Sequence, residues 1–262
     1  MKKKTLILLG VSILSLCGCY SQKKETIKEF EYIQGGIVRG DKNGKKIALV
    51  FTSDGYYDGY ETISATLKNH KAKGSFFFTG NAYRMNEFEK IIEELKNDGH
   101  YLGAHSDKHL LYCAWEKRDS LLVTKNEYIQ DIENNYSEMQ KFGIAKTDAP
   151  YYLPAFEYYN DTISAWTREL DLQLINFTGG TGSNADYTTP NMGEKYRDSK
   201  TIYENILKYE SEKTNGLNGF MLLIHFGVAA ERTDKLYNLM DDLMNYLENK
   251  GYLFVTVTEL LK

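Results

Sequence analysis

Three of the five histidines follow short apolar runs, and two of those three are four residues apart. His105-Ser106-Asp107-Lys108-His109 comes directly after Tyr101-Leu102-Gly103-Ala104, and His225 directly after Leu222-Leu223-Ile224. Read as one helical turn, the His-x3-His spacing sets both imidazoles on one face, roughly 6 Å apart. Two neutral imidazoles at that separation suit a shared divalent metal. Other polar groups sit in equivalent places. Thr52-Ser53-Asp54-Gly55 follows Leu49-Val50-Phe51, Pro154-Ala155-Phe156-Glu157 follows Tyr151-Tyr152-Leu153, and Asn184 and Asp186 come after Leu172–Phe177 and a glycine-rich loop. A lone histidine is as readily a cap or a core residue as a ligand. Three at the ends of apolar runs, with carboxylates at the ends of others, point to a metal site.

Apolar strands alternating with amphipathic helices would position these groups. Helices are expected over Glu61–Lys71, Glu87–Asp98, Lys125–Phe142, Asp161–Leu170, Lys200–Lys213 and Asp234–Lys250, several ending at a glycine, with Asp161 as a cap. Strands are expected at Gly74–Phe78, Tyr101–Ala104, Tyr151–Leu153, Leu172–Phe177, Gly219–Phe226 and Leu253–Val257. Gly36–Arg39 and Lys46–Phe51 read as a hairpin turned by Asn43-Gly44. Roughly seven strands, nearly all followed by a helix, imply an α/β fold with a parallel sheet covered by helices. No glycine-rich phosphate loop follows a strand at the usual spacing, and Gly179-Gly180-Thr181-Gly182 is read as a loop. A barrel is therefore expected, with the polar clusters on the rim at the carboxyl ends of its strands.

The ends and the composition bound the setting. Met1-Lys2-Lys3-Lys4, the apolar Thr5–Leu16 and Leu16-Cys17-Gly18-Cys19 resemble a bacterial lipoprotein signal. The resemblance implies residues 1–18 as a signal peptide, a diacylglycerol on Cys19, a tether over 19–32 and one domain over 33–262. It also implies an exported lipoprotein of the bacterial cell envelope, anchored to a membrane by its lipid. Cys113 is then the one remaining thiol, so no intrachain disulfide is expected, and Cys113 reads as a small buried side chain. The net charge of −4 becomes more negative once the three leading lysines depart, which excludes nucleic acid as a partner. A monomer is expected. With 21 tyrosines there is material to line a carbohydrate cleft. Trp115 is a candidate stacking surface and Trp166 reads as core.

The chain resembles the polysaccharide deacetylase family, carbohydrate esterase family four, over residues 45–262. Phe51-Thr52-Ser53-Asp54-Gly55 is similar to the family's Thr-Phe-Asp-Asp-Gly, His105-Ser106-Asp107-Lys108-His109 to its His-[Ser/Thr]-x-x-His, and Leu223-Ile224-His225 to its late Leu-x-His. Gly74-Ser75-Phe76-Phe77-Phe78 and Asp98-Gly99-His100 fit the same pattern. The resemblance implies a distorted (β/α)7-type barrel that removes N- or O-linked acetyl groups from an acetylated carbohydrate. It implies Asp54, His105 and His109 as ligands of a divalent metal, usually zinc, and His225 as the catalytic acid. A backbone N–H after the fourth strand, taken as that of Phe156, would hold the oxyanion.

Two positions depart from the pattern. Ser53, with Thr52 read as an inserted residue before it, stands where the family carries its catalytic base. Tyr152 stands where the family carries the arginine that orients that base. A serine hydroxyl is far too weak a base at neutral pH, so another carboxylate is required if the chain is an enzyme. Glu157 is the first choice. Asp58, in Tyr56-Tyr57-Asp58-Gly59-Tyr60, suits a turn better, and Asp107 suits orienting a histidine. Asn184 and Asp186 are expected to contact substrate. The other readings are a non-catalytic glycan-binding module on the same barrel and an amidase acting on a non-sugar C–N bond.

Overall fold

The computed structural model describes residues 29–262, so the expected signal segment, Cys19 and most of the expected tether lie outside the described residues. Strands run over Glu31–Ile33 (β1), Gly36–Arg39 (β2), Lys46–Ser53 (β3), Ser75–Phe78 (β4), Tyr101–Ala104 (β5), Tyr151–Tyr152 (β6), Gln173–Leu174 (β7), Phe220–His225 (β8) and Leu253–Phe254 (β9). Helices run over Tyr60–Asn69 (α1), Gly80–Tyr83 (α2), Asn86–Asn97 (α3), Lys125–Lys141 (α4), Asp161–Glu169 (α5), Ser199–Glu212 (α6), Met240–Asn249 (α7) and Val257–Leu260 (α8). The sheet runs β7-β6-β5-β4-β3-β8, with β9 beside the start of β3, and all of its pairs are parallel. Helices follow most strands, and the result is the distorted barrel that the alternation called for.

The central strands are buried on both faces, which is why they read as unbroken apolar runs. Ile47 to Phe51, Phe76 to Phe78 and Phe220 to Ile224 are all essentially inaccessible. Phe76, Phe78, Phe88 and Phe226 meet at ring-centroid distances of 5.1–6.3 Å, in tilted or edge-on arrangements.

No strand pairing joins β7 directly to β8. The segment after β7 closes that seam. The Asn176 N–H donates to Ile37 O at 2.8 Å, and the Thr178 N–H to Met221 O at 2.9 Å. The Thr178 hydroxyl donates to Val38 O at 2.5 Å and accepts from the Met221 N–H at 3.0 Å. One threonine thus ties β2 to β8 across the gap, and β2 serves as the plug.

That role explains a correction. Gly36–Arg39 does not form a hairpin with β3. It pairs antiparallel with β1, through a two-residue turn at Gln34 and Gly35 with φ of 48° and 73°, the left-handed pair that such turns require. Regular structure thus begins at Glu31, inside the stretch expected to be tether. β3 also runs without a bulge through the position read as an insertion: Thr52 pairs with Phe77 and His225, and Ser53 with Phe78. The helix expected from Asp234 begins only at Met240, after a tighter turn over Leu236–Leu239, and two other helix starts have local causes. Asn160, not Asp161, caps α5, its side chain accepting from the Ile163 N–H at 3.0 Å. The last strand stops at Phe254 because Thr256 and Glu259 form a reciprocal capping box that starts α8.

Candidate active site

The carboxyl ends of β3, β5, β6 and β8 bring the polar clusters to one rim. His105 leaves β5 with its N–H near Phe78 O and donating to Asn135 Oδ1 at 2.8 Å. Its Nδ1 lies 2.9 Å from Leu153 O, so Nδ1 carries the proton and the Nε2 lone pair is free. Burial, reinforced by His109, holds the His105 pKa well below the usual imidazole range and keeps the ring neutral. The His105 and His109 ring centroids are 5.3 Å apart. The pair is not a helical turn, however. Ser106 and His109 have φ of 77° and 53°, so a strained loop presents the second ring.

One carboxylate holds that loop. Asp131, buried in the middle of α4, accepts from Ser106 Oγ and Tyr112 Oη at 2.6 Å, and from the Asp107 and Lys108 N–H groups at 3.1 Å. Asn135 lies four residues on, so both polar anchors project from one face of the helix. The sequence reading missed both. The signal was available: two polar residues interrupt the buried stripe of Tyr128, Ile132, Tyr136 and Met139. Asp107 does not orient a histidine. Its carboxylate pairs with Arg84 Nη1 at 2.6 Å, and a Cβ on Gly80 would come within 1.9 Å of it.

Ser53 and Tyr152 are both committed to structure. The Ser53 hydroxyl donates to Tyr56 O at 2.6 Å and accepts from the Gly55 N–H at 2.9 Å, closing the turn after β3. Tyr152 is fully buried, its hydroxyl 3.0 Å from that of Tyr112. A Tyr152–Tyr112–Asp131 relay thus occupies the place where an arginine was expected. Asp54 is exposed, and its Oδ1 accepts from Thr79 Oγ1 at 2.8 Å and Asn81 Nδ2 at 3.0 Å. Asp58 binds the Val228 N–H, Tyr237 Oη and Lys235, which makes it a turn residue and removes it as a base.

Glu157 lies within the site. Its Oε1 is 3.9 Å from His105 Nε2 and its side chain is 12% exposed. Burial pushes its carboxyl up to about 7, with His225 pulling the other way. Phe156 and Glu157 have φ of 58° and 52°. Positive φ in four non-glycine residues of one site, Ser106 and His109 included, is strain concentrated where function is expected. His225 Nδ1 is 2.5 Å from Asp186 Oδ1, and its N–H donates to Asp186 Oδ2 at 2.9 Å. Burial works against the imidazolium, but the charge and hydrogen bond of Asp186, with Glu157 behind them, outweigh it and raise the His225 pKa. Asp186 is therefore the partner of His225 rather than a substrate contact. Asn184, half-buried on the turn Ser183–Ala185, makes no side-chain hydrogen bond among the described residues and is left available to a ligand. Cys113 is buried, and burial pushes its thiol up to about 11, so it is no nucleophile.

His105 and His109 have the chemistry that a divalent ion needs, because both are held neutral by burial, against the opposing charge of Asp54 at His109. Among the described residues no group of three or more His, Cys, Asp or Glu side chains is drawn together as a metal centre.

The polysaccharide deacetylase family model matches residues 39–175. A peptidoglycan-N-acetylglucosamine deacetylase of Bacillus cereus is 23% identical over 84% of this chain and 90% of its own length. A carbohydrate esterase family 4 pseudoenzyme from Bacillus anthracis superimposes with a TM-score of 0.67 at 16% identity, over 88% of this chain and 70% of that one. A family 4 acetyl xylan esterase from Clostridium thermocellum, solved with a cobalt ion, gives 0.62 at 19% identity, over 82% and 90%.

Asp131→Asn puts an amide in place of an acceptor that binds four donors. We expect destabilisation of at least about 3 kcal/mol from buried donors left without partners, read by urea denaturation. A change below about 1 kcal/mol would show that the loop does not depend on this carboxylate.

Proposed function

The chain belongs to the polysaccharide deacetylase family, and on that premise we propose that it is a metal-dependent hydrolase that removes N- or O-linked acetyl groups from a glycan, with Glu157 as the base. The observation that carries this reading is the Glu157 carboxyl itself. It is buried at the end of β6 with its Oε1 3.9 Å from His105 Nε2, within reach of a water held at the histidine pair, which is the geometry a general base needs. His105, His109 and Asp54 would hold the ion, which we take to be zinc, and which would supply Lewis acidity toward the acetyl carbonyl. Glu157 takes the proton of the attacking water. His225, protonated and held by Asp186, gives a proton to the departing amine or alkoxide. The Phe156 N–H is assigned to the oxyanion, and Asn184 to a sugar hydroxyl.

A second reading has its own support. The Ser53 hydroxyl is spent on Tyr56 and Gly55, and Tyr152 is sealed in the core, as in a barrel that binds its glycan without turning it over. Glu157→Gln separates the two. The hydrolase should lose acetate release from acetylated chitooligosaccharides or acetylxylan by at least about 100-fold, with glycan affinity retained. Full activity in that variant would remove Glu157 from the chemistry, and silence of the zinc-loaded wild type on both substrates would favour the binder.

Asp186 raises the His225 pKa, so an acid role for His225 holds below that pKa and fails as pH rises through it. Asp186→Asn lowers the His225 pKa and should move the alkaline limb of the pH–rate profile to lower pH. An unmoved limb would exclude His225 as the titrating acid.

We also infer an exported monomer held to the envelope by lipid on Cys19. The supporting feature is the Leu16-Cys17-Gly18-Cys19 signal. Cys19→Ala should shift the protein out of the membrane fraction; an unchanged distribution would argue for another anchor.

A further inference from the structure

Resting on the glycan reading above, we propose that Trp115, Phe156 and Tyr158 form a sugar-stacking subsite beside the histidine pair, so that the preferred ligand is an oligosaccharide rather than a single sugar. Trp115 is 54% exposed and Phe156 41% exposed. Large rings left in water are unremarkable singly, but here they are continuous with the site. The Phe156 ring lies 4.3 Å from that of His109, the Trp115 ring meets Phe156 edge-on at 5.9 Å, and Tyr158 lies against Trp115 at 4.5 Å and 35°.

The platform is built to stay in place. Trp115 stands on a tight excursion whose arms are hydrogen-bonded together, Ala114 N–H to Ser120 O and Leu122 N–H to Tyr112 O, both at 2.9 Å, so that the backbones of Cys113 and Leu121 pair antiparallel. Arg118 fastens that excursion to the strand-end segment. Its Nε donates to Tyr159 O at 2.7 Å, its guanidinium lies 4.7 Å from the Tyr158 ring centre, and its carbonyl accepts from Asn160 Nδ2 at 3.0 Å. The Tyr158 hydroxyl reaches back to Ala114 O at 3.4 Å. The backbone that carries the indole is thus fixed, and its ring rests against Phe156 and Tyr158, which limits the conformational entropy left to lose on binding. Its exposed face suits the axial C–H face of a pyranose whose substituents are equatorial. The adjacent imidazoles place the reacting sugar one ring away, so the platform takes its neighbour in the chain.

The experiment measures affinity of the full, zinc-loaded protein and of Trp115→Ala for chitobiose, chitotetraose and chitohexaose by titration calorimetry, with acetate release followed in parallel. The ratio of variant to wild-type Kd should rise with chain length and reach about tenfold for the hexamer. Trp115→Tyr, which keeps a flat ring, should recover most of that loss. A ratio that is the same for all three lengths, or a wild type that does not bind the hexamer, overturns the subsite. Length-dependent binding through Trp115 without acetate release leaves the subsite standing and removes the hydrolase reading. Acetate release with no dependence on Trp115 at any length does the reverse.

Discussion

Asp131 is a charge buried in the middle of a helix, and the geometry of the site depends on how that charge is satisfied. A carboxylate taken out of water is stable only when its oxygens are fully engaged. Asp131 meets this condition by gathering the hydroxyls of Ser106 and Tyr112 and two backbone N–H groups from the histidine loop. The loop in turn can hold positive φ at Ser106 and His109 because its donors are already committed to α4. Asn135, one turn along, fixes the His105 backbone, and Leu153 O fixes the His105 ring. The histidine pair is thus positioned by a helix and a neighbouring strand, not by its own local conformation.

The same carboxylate bears on the two departures from the family pattern. An aspartate and an arginine facing each other in a buried site stabilise each other, and losing one alone would strand a charge. At the positions that the family resemblance gives to such a pair, this chain has serine and tyrosine. Neither replacement is idle. Ser53 closes the turn after β3, and Tyr152 adds a hydroxyl to the chain that ends on Asp131. A carboxyl does stand at the end of β6: Glu157, three residues beyond Pro154, lies close to His105.

The strands, the helices and the clustering of polar groups at strand ends were legible because apolar runs and 3.6-residue periodicity are local signals. Tyr101–Ala104 is a strand as expected, and α4 differs from its expected extent by one residue. What was not legible is long-range. The place of β2 in the barrel is fixed by a seam that Thr178 closes from far along the chain. The role of Asp186 depends on a bond to His225 across 39 residues. The histidine loop looked helical because His-x3-His fits a helix, whereas its Ser106 hydroxyl and two of its N–H groups are bonded to Asp131 on a distant helix. Asp107, read as a partner for a histidine, instead meets Arg84 from the preceding strand–helix connection.

Glu157 and His225 show how the same burial serves opposite ends. Burial disfavours charge on each, raising the carboxyl and opposing the imidazolium. His225 escapes because Asp186 lies 2.5 Å from its Nδ1, whereas Glu157 has no cation so close, only His225 at longer range. Glu157 is therefore shifted toward its neutral form and His225 toward its charged form, the kind of split that separates an acid from a base. Here it follows from a single difference in what each side chain touches.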